Sequence, residues 1–206
     1  MIDHERDLAS LDEATERLLA AVAGLDNVTL AGPSRLPGWS RGHVLAHIAR
    51  NADALGNVLA GLPMYETSEA RDADIERDAP RPHAVQLEDV RGSAARFRER
   101  TGLPADWSRT VTLRNGVTDS AARVPFRRWV EVALHHVDLN IGYELEDLPE
   151  EFIEREIDFL RRRFSGDPAV AGVTGPPQAL VGWLSGRRDG AGLKAPAGAL
   201  PVLPPL

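Results

Sequence analysis

Hydrophobic residues recur three and four positions apart over most of the chain, and this spacing predicts a mainly α-helical protein. The first amphipathic stretch covers about residues 5–25. The second follows Ser40, a residue suited to capping a helix, and stops near Gly61. A third covers about residues 84–100, and a fourth covers about residues 125–143. The fourth stretch is apolar almost all the way round, which is typical of a buried helix.

Two shorter helical patterns follow at residues 150–164 and 178–184, and the chain is rich in glycine and proline after Gly166. The four longer helices favour an antiparallel four-helix bundle over residues 1–148. Residues 149–206 then form a small C-terminal segment of helices with a Pro/Gly-rich tail. The tail begins near Lys194, holds four prolines and should be extended.

Two connections between these helices are informative. Residues 63–84 form a long polar link, in which Thr67 or Ser68 is suited to cap a short helix. A link of this length is often the wall or lid of a site, and a solvated insertion is the alternative. Farther along, apolar and polar residues alternate around Asn115 and Gly116, a pair that favours a tight turn, so we expect a short hairpin there.

The composition excludes several classes of function. The 206 residues carry a formal net charge of −7 and no dense basic stripe, which argues against a nucleic-acid partner. No apolar run approaches the length of a membrane span, and the charged start lacks the apolar core of a signal peptide. We therefore expect a cytoplasmic protein without a membrane partner. Cysteine is absent, so any metal must be held by His, Asp or Glu, and any thiol must come from outside.

The fourth helix carries a carboxylate and an imidazole on one face, because Glu131 and His135 are four residues apart. Burying a lone carboxylate is unfavourable unless its charge is compensated, and a divalent metal would use both groups. His47, in the apolar second helix, offers a third donor. Two histidines and one glutamate leave a tetrahedral metal one open position for water or substrate. The three residues are therefore candidate ligands of a metal within the bundle.

Other interpretations of these residues stay open. An exposed pair or a satisfied core pair would have the same spacing as Glu131 and His135, and a single histidine such as His47 is more often packed than bound to a metal. The metal interpretation is favoured because the fourth helix has little polar surface to spare and because His47 lies in an apolar-periodic helix. We expect Arg127 and Arg128 on the outward face of the fourth helix.

Several segments together resemble the mycothiol-dependent maleylpyruvate isomerases, within the DinB-like superfamily of metal-binding helical bundles. The shared bundle motifs are at residues 36–40 (LPGWS), 44–47 (VLAH) and 131–139 (EVALHHVDL). The segments closer to the isomerases themselves are at residues 63–65 (PMY), 68–71 (SEAR) and 184–187 (LSGR). The resemblance runs through about the first 150 residues and returns near the last of these segments.

The resemblance implies a DinB-like four-helix bundle with His47, Glu131 and His135 as zinc ligands, the same three residues that the spacing selects. It also implies that Arg71 and Arg187 match the two functional arginines of the family. Ordinary surface charge is the alternative for both arginines, because composition and spacing do not distinguish them from the other arginines of the chain.

Two further expectations concern the surroundings of the metal. The isomerases carry a C-terminal α/β domain with several strands, and residues 164–177 are too few for those strands, so we expect a shortened appendage of helices and loops. Arg187 reaches the metal only if this appendage folds back over the bundle. Asp138 or Asn51 is suited to orient a ligand histidine by accepting its hydrogen bond, and a helix-surface role is the alternative.

The reaction implied by the resemblance is the cis–trans isomerisation of maleylpyruvate to fumarylpyruvate in gentisate breakdown. A thiolate can add reversibly to the C=C bond and make it transiently single. Because the chain has no cysteine, the resemblance implies mycothiol as the thiol and Zn²⁺ as the metal that lowers its pKa. The substrate is a small dicarboxylate, and Arg71 and Arg187 are the candidates for binding its carboxylates.

Two other functions stay open. Related bundles resemble metal-dependent mycothiol S-transferases, which attach the thiol to electrophiles. A pair of arginines on the substrate side is needed by an isomerase of a dianion and is not needed by a transferase for neutral electrophiles. The chain is also compatible with a non-catalytic metal-binding module of the same fold, although the complete ligand set argues against it. Nickel, cobalt or iron would suit the same ligands.

Overall fold

The computed structural model describes residues 3–164, 166–196 and 198–204, and the mainly α-helical class predicted from the spacing is confirmed. The α-helices are α1 (His4–Ala23), α2 (Asn27–Ala31), α3 (Arg41–Leu59), α4 (Ser68–Asp78), α5 (His83–Thr101), α6 (Val124–Asp138), α7 (Glu150–Arg163), α8 (Pro168–Ala171) and α9 (Pro177–Leu184). Strands β1 (Thr110–Thr112) and β2 (Thr118–Ser120) lie between α5 and α6, and short 3₁₀ helices cover Arg114–Gly116, Ala121–Arg123 and Leu145–Asp147. Within the described residues, none of the helices has the length and apolar character needed to cross a membrane.

The described residues group into two compact units, one ending at Gly142 and the other beginning at Tyr143. The first unit contains α1 to α6 and the two strands, and the second contains α7 to α9. The domain boundary expected between residues 148 and 149 stays a prediction.

The first unit is a four-helix bundle of α1, α3, α5 and α6, as the spacing predicted. Helix α3 packs against α5 and α6, and α1 packs against the same two helices. The apolar stripe of each helix faces the interior: Leu18, Leu45, Ile48 and Val132 are fully buried. Burial of these stripes is the main force that holds the bundle together. As a result, the two helices that carry the candidate ligands, α3 and α6, are direct neighbours.

Side-chain caps determine where α3 and α4 begin. Ser40 caps α3 as predicted, and its hydroxyl accepts the backbone N–H of His43, whose ring in turn faces the backbone N–H of Ser40. Thr67 caps α4 in the same way by accepting the N–H of Ala70. Each cap satisfies a backbone donor that the first turn of a helix leaves unpaired. The second cap matters for the site because α4 carries Arg71.

Residues with positive φ set two boundaries. Asn115 (φ 59°) and Gly116 (φ 73°) form the turn between the antiparallel strands β1 and β2, so the predicted hairpin is confirmed. Asn140 (φ 54°) and Gly142 (φ 99°) lie just after α6. The helix therefore ends at Asp138, earlier than predicted, since a left-handed residue cannot continue a right-handed helix.

Arg128 lies inside the bundle, and the expectation that it faces outward is wrong. Only 2% of its surface is exposed, and its Nη1 donates to Oδ1 of Asn51 on α3 over 2.8 Å. The neighbouring Arg127 has an exposed fraction of 24% for its side chain and pairs with Asp119 at 2.6 Å. The physical reason is that α6 packs against both α1 and α3, so most directions around it are buried.

An ionic network ties α4 to α3 and α5. Arg50 of α3 lies between Asp78, the last residue of α4, and Asp89 of α5, with N–O distances of 3.1 and 2.6 Å. Arg81 contacts the same two carboxylates. Asp78 is only 3% exposed, and ion pairs that are shielded from water are screened less than surface pairs. The network therefore holds α4, and with it Arg71, against the bundle.

The C-terminal unit has a hydrophobic core of its own. Its buried members are Leu160, Phe164, Val170, Val173, Leu180, Trp183 and Leu184. In the described part of this unit the only β pairing is an antiparallel bridge between Thr174 and Lys194, which confirms an appendage of helices and loops. The described tail residues after this bridge carry no helix or strand, and residues 197, 205 and 206 of the predicted tail lie outside the described residues.

Gly42 of α3 lies where the end of α4 approaches the bundle, and a Cβ atom there would overlap the carbonyl oxygen of Ala79. We expect Gly42→Ala to lower the free energy of unfolding by roughly 1–3 kcal/mol, because the two helices must separate. Gly56→Ala in the same helix is the matched control, since a Cβ atom there meets nothing within 4 Å. We expect that change to raise the free energy of unfolding by about 0.5–1 kcal/mol through helix propensity. Urea denaturation measures both, and a Gly42→Ala protein as stable as the wild type would contradict the close approach.

Candidate metal centre

Two neighbouring helices bring three potential metal ligands together. His47 comes from α3, and Glu131 and His135 come from consecutive turns of α6. Nε2 of His47 is 3.0 Å from Oε2 of Glu131, and Nε2 of His135 is 3.3 Å from the same oxygen. One ligand atom from each residue lies within 4.8 Å of the other two. The structure thus brings together the three residues that the spacing selected.

A buried carboxylate orients the ring of His135. Nδ1 of His135 lies 2.8 Å from Oδ2 of Asp138, which is fully buried. A carboxylate on one nitrogen of an imidazole fixes the ring and makes the other nitrogen a better ligand. Of the two residues considered for this role, Asp138 makes the contact, whereas Asn51 accepts a hydrogen bond from Arg128.

Arg71 reaches the same group of residues from α4. Its Nη2 lies 3.1 Å from Nδ1 of His47, and its Nη1 lies 2.6 Å from the exposed carboxylate of Asp72. The guanidinium also lies over the ring of Tyr65, 5.9 Å from the ring centroid, in a cation–π arrangement. The structure therefore places one of the two predicted arginines beside a candidate ligand, because α4 packs against α3.

The contact with Arg71 determines which nitrogen of His47 carries the hydrogen. A guanidinium has donors only, so it can hydrogen-bond Nδ1 only while Nδ1 is unprotonated. The neutral ring then carries its hydrogen on Nε2 and donates it to Glu131. The hydrogen position of His47 is thus coupled to the position of Arg71.

Burial and mutual contacts separate the pKa values of the three candidate ligands. Burial lowers the pKa of His47 to about 4, so the ring is neutral at neutral pH. Burial acts to raise the pKa of Glu131, but the hydrogen bonds and charges of the two histidines outweigh it and hold that pKa well below its usual value. Burial acts to lower the pKa of His135, and hydrogen bonds to Asp138 and Glu131 reverse this and raise it. An ionised carboxylate between two imidazoles is a suitable site for a cation.

The sequence reasoning missed a buried cation close to these residues. Burial lowers the pKa of Arg128 to about 10, while the charges of Glu131, Tyr65 and Asp53 act to raise it. A signal was available, since Arg128 precedes Glu131 by three residues and therefore shares its face of α6. Because most arginines point to solvent, this spacing alone does not predict that Arg128 is buried.

Arg187 lies in the C-terminal unit, in the turn that follows α9. Gly186 makes this turn with a φ of 74°, and Nη1 of Arg187 donates to the carbonyl oxygen of Ser185 over 3.2 Å. The contact is local to the turn. A role for Arg187 at the metal centre stays a prediction.

A cleft of about 540 Å³ opens beside Tyr65. Its walls are the end of α3, the link between α3 and α4, and strand β1 with the turn that follows it. The long polar link thus lines a cavity, which favours its interpretation as the wall of a site. Because the ring of Tyr65 also contacts Arg71, this wall adjoins the arginine that touches His47.

Comparisons with known proteins identify relatives of the chain. A family model described as the mycothiol maleylpyruvate isomerase N-terminal domain matches residues 11–140. The crystal structure of the mycothiol-dependent maleylpyruvate isomerase aligns with a TM-score of 0.88 at 24% identity, over 99% of this chain and 97% of that chain. A histidine-to-alanine mutant of that isomerase aligns with a TM-score of 0.87 at 23% identity and the same coverage. These two alignments show a shared fold, and no curated protein matches the chain.

The low pKa of His47 makes the stability of the metal-free protein depend on pH. His47 titrates near 6.5 in the unfolded chain and near 4 in the folded chain, so between these values the unfolded chain binds more protons. We therefore expect the free energy of unfolding to fall as the pH drops from 6.5 toward 4. His47→Gln, which keeps an amide donor toward Glu131, should flatten this dependence. The other titratable groups are present in both proteins, so their contributions cancel in the comparison. They include His135, whose raised pKa makes stability depend on pH in the opposite direction.

Urea denaturation with a chelator present, at about pH 7 and about pH 4.5, measures the difference between the wild type and the His47→Gln protein. An equal loss of stability in both proteins would contradict the assignment of a buried neutral His47.

Proposed function

The chain belongs to the mycothiol maleylpyruvate isomerase family, and on this premise we propose that it catalyses the cis–trans isomerisation of maleylpyruvate to fumarylpyruvate with bound zinc and mycothiol. This reaction is a step in the breakdown of gentisate. The observation that carries the proposal is the cluster of His47, Glu131, His135 and Arg71 within the domain that the family model covers. The three candidate metal ligands and an arginine that can bind an anionic substrate therefore lie next to one another.

The donor set fits a zinc ion. Imidazole nitrogens and carboxylate oxygens are ordinary zinc ligands, and three protein ligands leave the fourth tetrahedral position open. Coordination requires an ionised Glu131 and two neutral histidines. The shifted pKa values favour these states for Glu131 and His47, whereas the pKa of His135 is raised, so a metal would displace a proton from that ring. The side chain of Glu131 is 32% exposed, so solvent can reach the cluster. The same ligands would also suit nickel, cobalt or iron.

The metal and the thiol supply chemistry that the chain lacks. When bound, the metal lowers the pKa of a thiol at its open position, and a thiolate adds reversibly to the C=C bond of the substrate and allows it to rotate. The chain has no cysteine, so the thiol is a separate low-molecular-weight molecule. We assign this part to mycothiol because of the family to which the chain belongs.

Arg71 binds a carboxylate of the substrate. In the structure it donates to Nδ1 of His47. If Nε2 of His47 bound a metal, the ring hydrogen would lie on Nδ1, where a guanidinium could not accept it. Arg71 would then turn from Nδ1, and its parallel N–H groups could form a bidentate bond to a carboxylate. We propose that Arg187 is the second arginine that binds a carboxylate of the substrate, because residues 184–187 resemble the corresponding segment of the family.

Two other functions use the same ligands. A mycothiol S-transferase for neutral electrophiles would need the metal and the thiol without cations for carboxylates, so Arg71 beside His47 favours the isomerase. A non-catalytic metal-binding module would keep the ligands without turnover. The ionised carboxylate and the oriented histidine would serve any of the three functions, and only a reaction assay distinguishes them.

Isomerisation of maleylpyruvate by the zinc-loaded protein, with and without mycothiol, tests the proposal. We expect turnover only when both metal and thiol are present, loss of turnover with a chelator, and recovery after zinc is restored, because the thiolate needs the metal charge to form at neutral pH. The loss of substrate absorbance measures the rate. Turnover without the thiol would contradict an external nucleophile. Bound zinc without turnover would favour the S-transferase, and unchanged stability without metal would favour the non-catalytic module.

Replacing either functional arginine should weaken catalysis without releasing the metal. We expect Arg71→Ala and Arg187→Ala to lower kcat/KM by about 10–100-fold, since each removes a charged hydrogen bond to the substrate. The exposed Arg162 of α7 and Arg188, next in the chain to Arg187, provide the matched controls Arg162→Ala and Arg188→Ala, which should retain activity. Zinc content by atomic absorption accompanies the kinetics, and loss of zinc in the Arg71 or Arg187 variant would contradict its assignment.

A further inference from the structure

The bundle buries Arg128 without a carboxylate in hydrogen-bond contact. Among the described residues its hydrogen-bond partner is Oδ1 of Asn51, at 2.8 Å from Nη1, and both residues are 2% exposed. An amide oxygen satisfies a donor but carries no net charge, so it does not neutralise the guanidinium. A buried charge is unfavourable unless an opposite charge compensates it. The position of Arg128 therefore requires an explanation from its surroundings.

The main compensating charge is that of Glu131, one turn later on α6. The two residues are three positions apart and share one face of α6. Burial lowers the pKa of Arg128, and the charge of Glu131 opposes this more strongly than the charges of Tyr65 and Asp53 do. The same carboxylate lies 3.0 Å from His47 and 3.3 Å from His135. Glu131 thus contacts the imidazoles of His47 and His135 directly and attracts the guanidinium of Arg128 electrostatically.

Binding of a divalent metal to Glu131 changes this balance. The charge of the carboxylate is then offset by the metal, and Arg128 faces a centre with surplus positive charge. Arg71 adds a second guanidinium beside His47, and its carboxylate partner Asp72 is largely exposed and screened by water. In surroundings of low dielectric constant such a surplus favours bound anions, and a dianion relieves it better than a monoanion.

We propose that Arg128, held in place by Asn51, makes the metal-loaded centre prefer dianionic ligands over monoanionic ones. This inference rests on the proposed function and deepens it, because it explains how the centre selects a dicarboxylate. Arg128 acts from inside the bundle through its charge, so it is a positioning residue and not a catalytic one. The same charge repels the metal ion, so Arg128 strengthens the binding of a dianion and weakens the binding of the metal.

A purely structural role for Arg128 makes the opposite prediction for the metal. If Arg128 only held α6 to α3 through Asn51, its loss would weaken the fold and the metal site together. If its charge matters, cancelling that charge removes a repulsion, so the metal binds more tightly while a dianion binds less tightly. The sign of the change in metal affinity therefore separates the two roles.

Two substitutions cancel this charge in different ways. Asn51→Asp keeps the shape of the side chain and gives Arg128 an ionised partner. Arg128→Gln keeps an N–H donor for Asn51 and removes the positive charge. Arg162→Gln is the matched control, because Arg162 is an exposed arginine on α7 that pairs with the exposed Asp158 at 2.9 Å.

The experiment compares two anions on the zinc-loaded full-length proteins. Calorimetric titrations with maleate, a small cis-dicarboxylate, and with its monomethyl ester give the two dissociation constants, and competition with a coloured chelator gives the zinc affinity. We expect the Kd of maleate to rise about tenfold in both charge-cancelling variants, the Kd of the ester to change less, and zinc to bind more tightly. The Arg162→Gln protein should match the wild type in all three measurements.

An unchanged preference for maleate over the ester in both variants would overturn the proposal, as would a wild type that does not bind maleate. A parallel loss of zinc affinity and thermal stability in both variants would also overturn it, since a structural Arg128 predicts that result. A wild type that binds maleate with the expected dependence on Arg128 but does not isomerise maleylpyruvate would remove the proposed reaction and keep this inference. Wild-type isomerisation with an unchanged KM in the Asn51→Asp protein would keep the reaction and remove this inference.

Discussion

The carboxylate of Glu131, held between His47 and His135 across the interface of α3 and α6, is the interaction on which the rest of the centre depends. The side chain of Glu131 is half-buried, and the two imidazoles offset the cost of that burial and stabilise its ionised form. The contact between His47 and Glu131 therefore adds an electrostatic contribution to the packing of α3 on α6, since separating the two helices would break it. Asp138 extends the same arrangement by fixing the second histidine from the far side of its ring.

The surroundings of this carboxylate are richer in cations than the carboxylate alone can balance. Arg71 reaches the centre from α4, and Arg128 lies inside the bundle with an uncharged partner. In a chain whose formal net charge is −7, these two guanidiniums bring positive charge close to the cluster, and Asp72 and Asp138 offset part of it. A site with this property suits anionic ligands, because water is too scarce around buried groups to screen the charge.

Several features could be predicted from the sequence because neighbouring residues determine them. The cap at Ser40, the turn at Asn115 and Gly116, and the shared face of Glu131 and His135 all depend on interactions within a few positions of the chain. The end of α6 was placed too late because its stop depends on the backbone angles of Asn140, which helical periodicity does not report. The family motifs drew attention to Arg71, whereas no local pattern distinguished it from other arginines.

Residues a few positions apart are enough to predict the helices, the hairpin and the face that Glu131 shares with His135, because these features depend on local interactions. The absence of cysteine likewise shows that any thiol chemistry would use a thiol from outside the chain. By contrast, the packing of the helices brings His47 to Glu131, Arg71 to His47 and Arg128 to Asn51. These contacts join residues that are far apart in sequence, and they depend on which helix packs against which. Burial then decides their charge states: the pKa of His47 near 4 follows from its neighbours in the bundle and not from its neighbours in the chain.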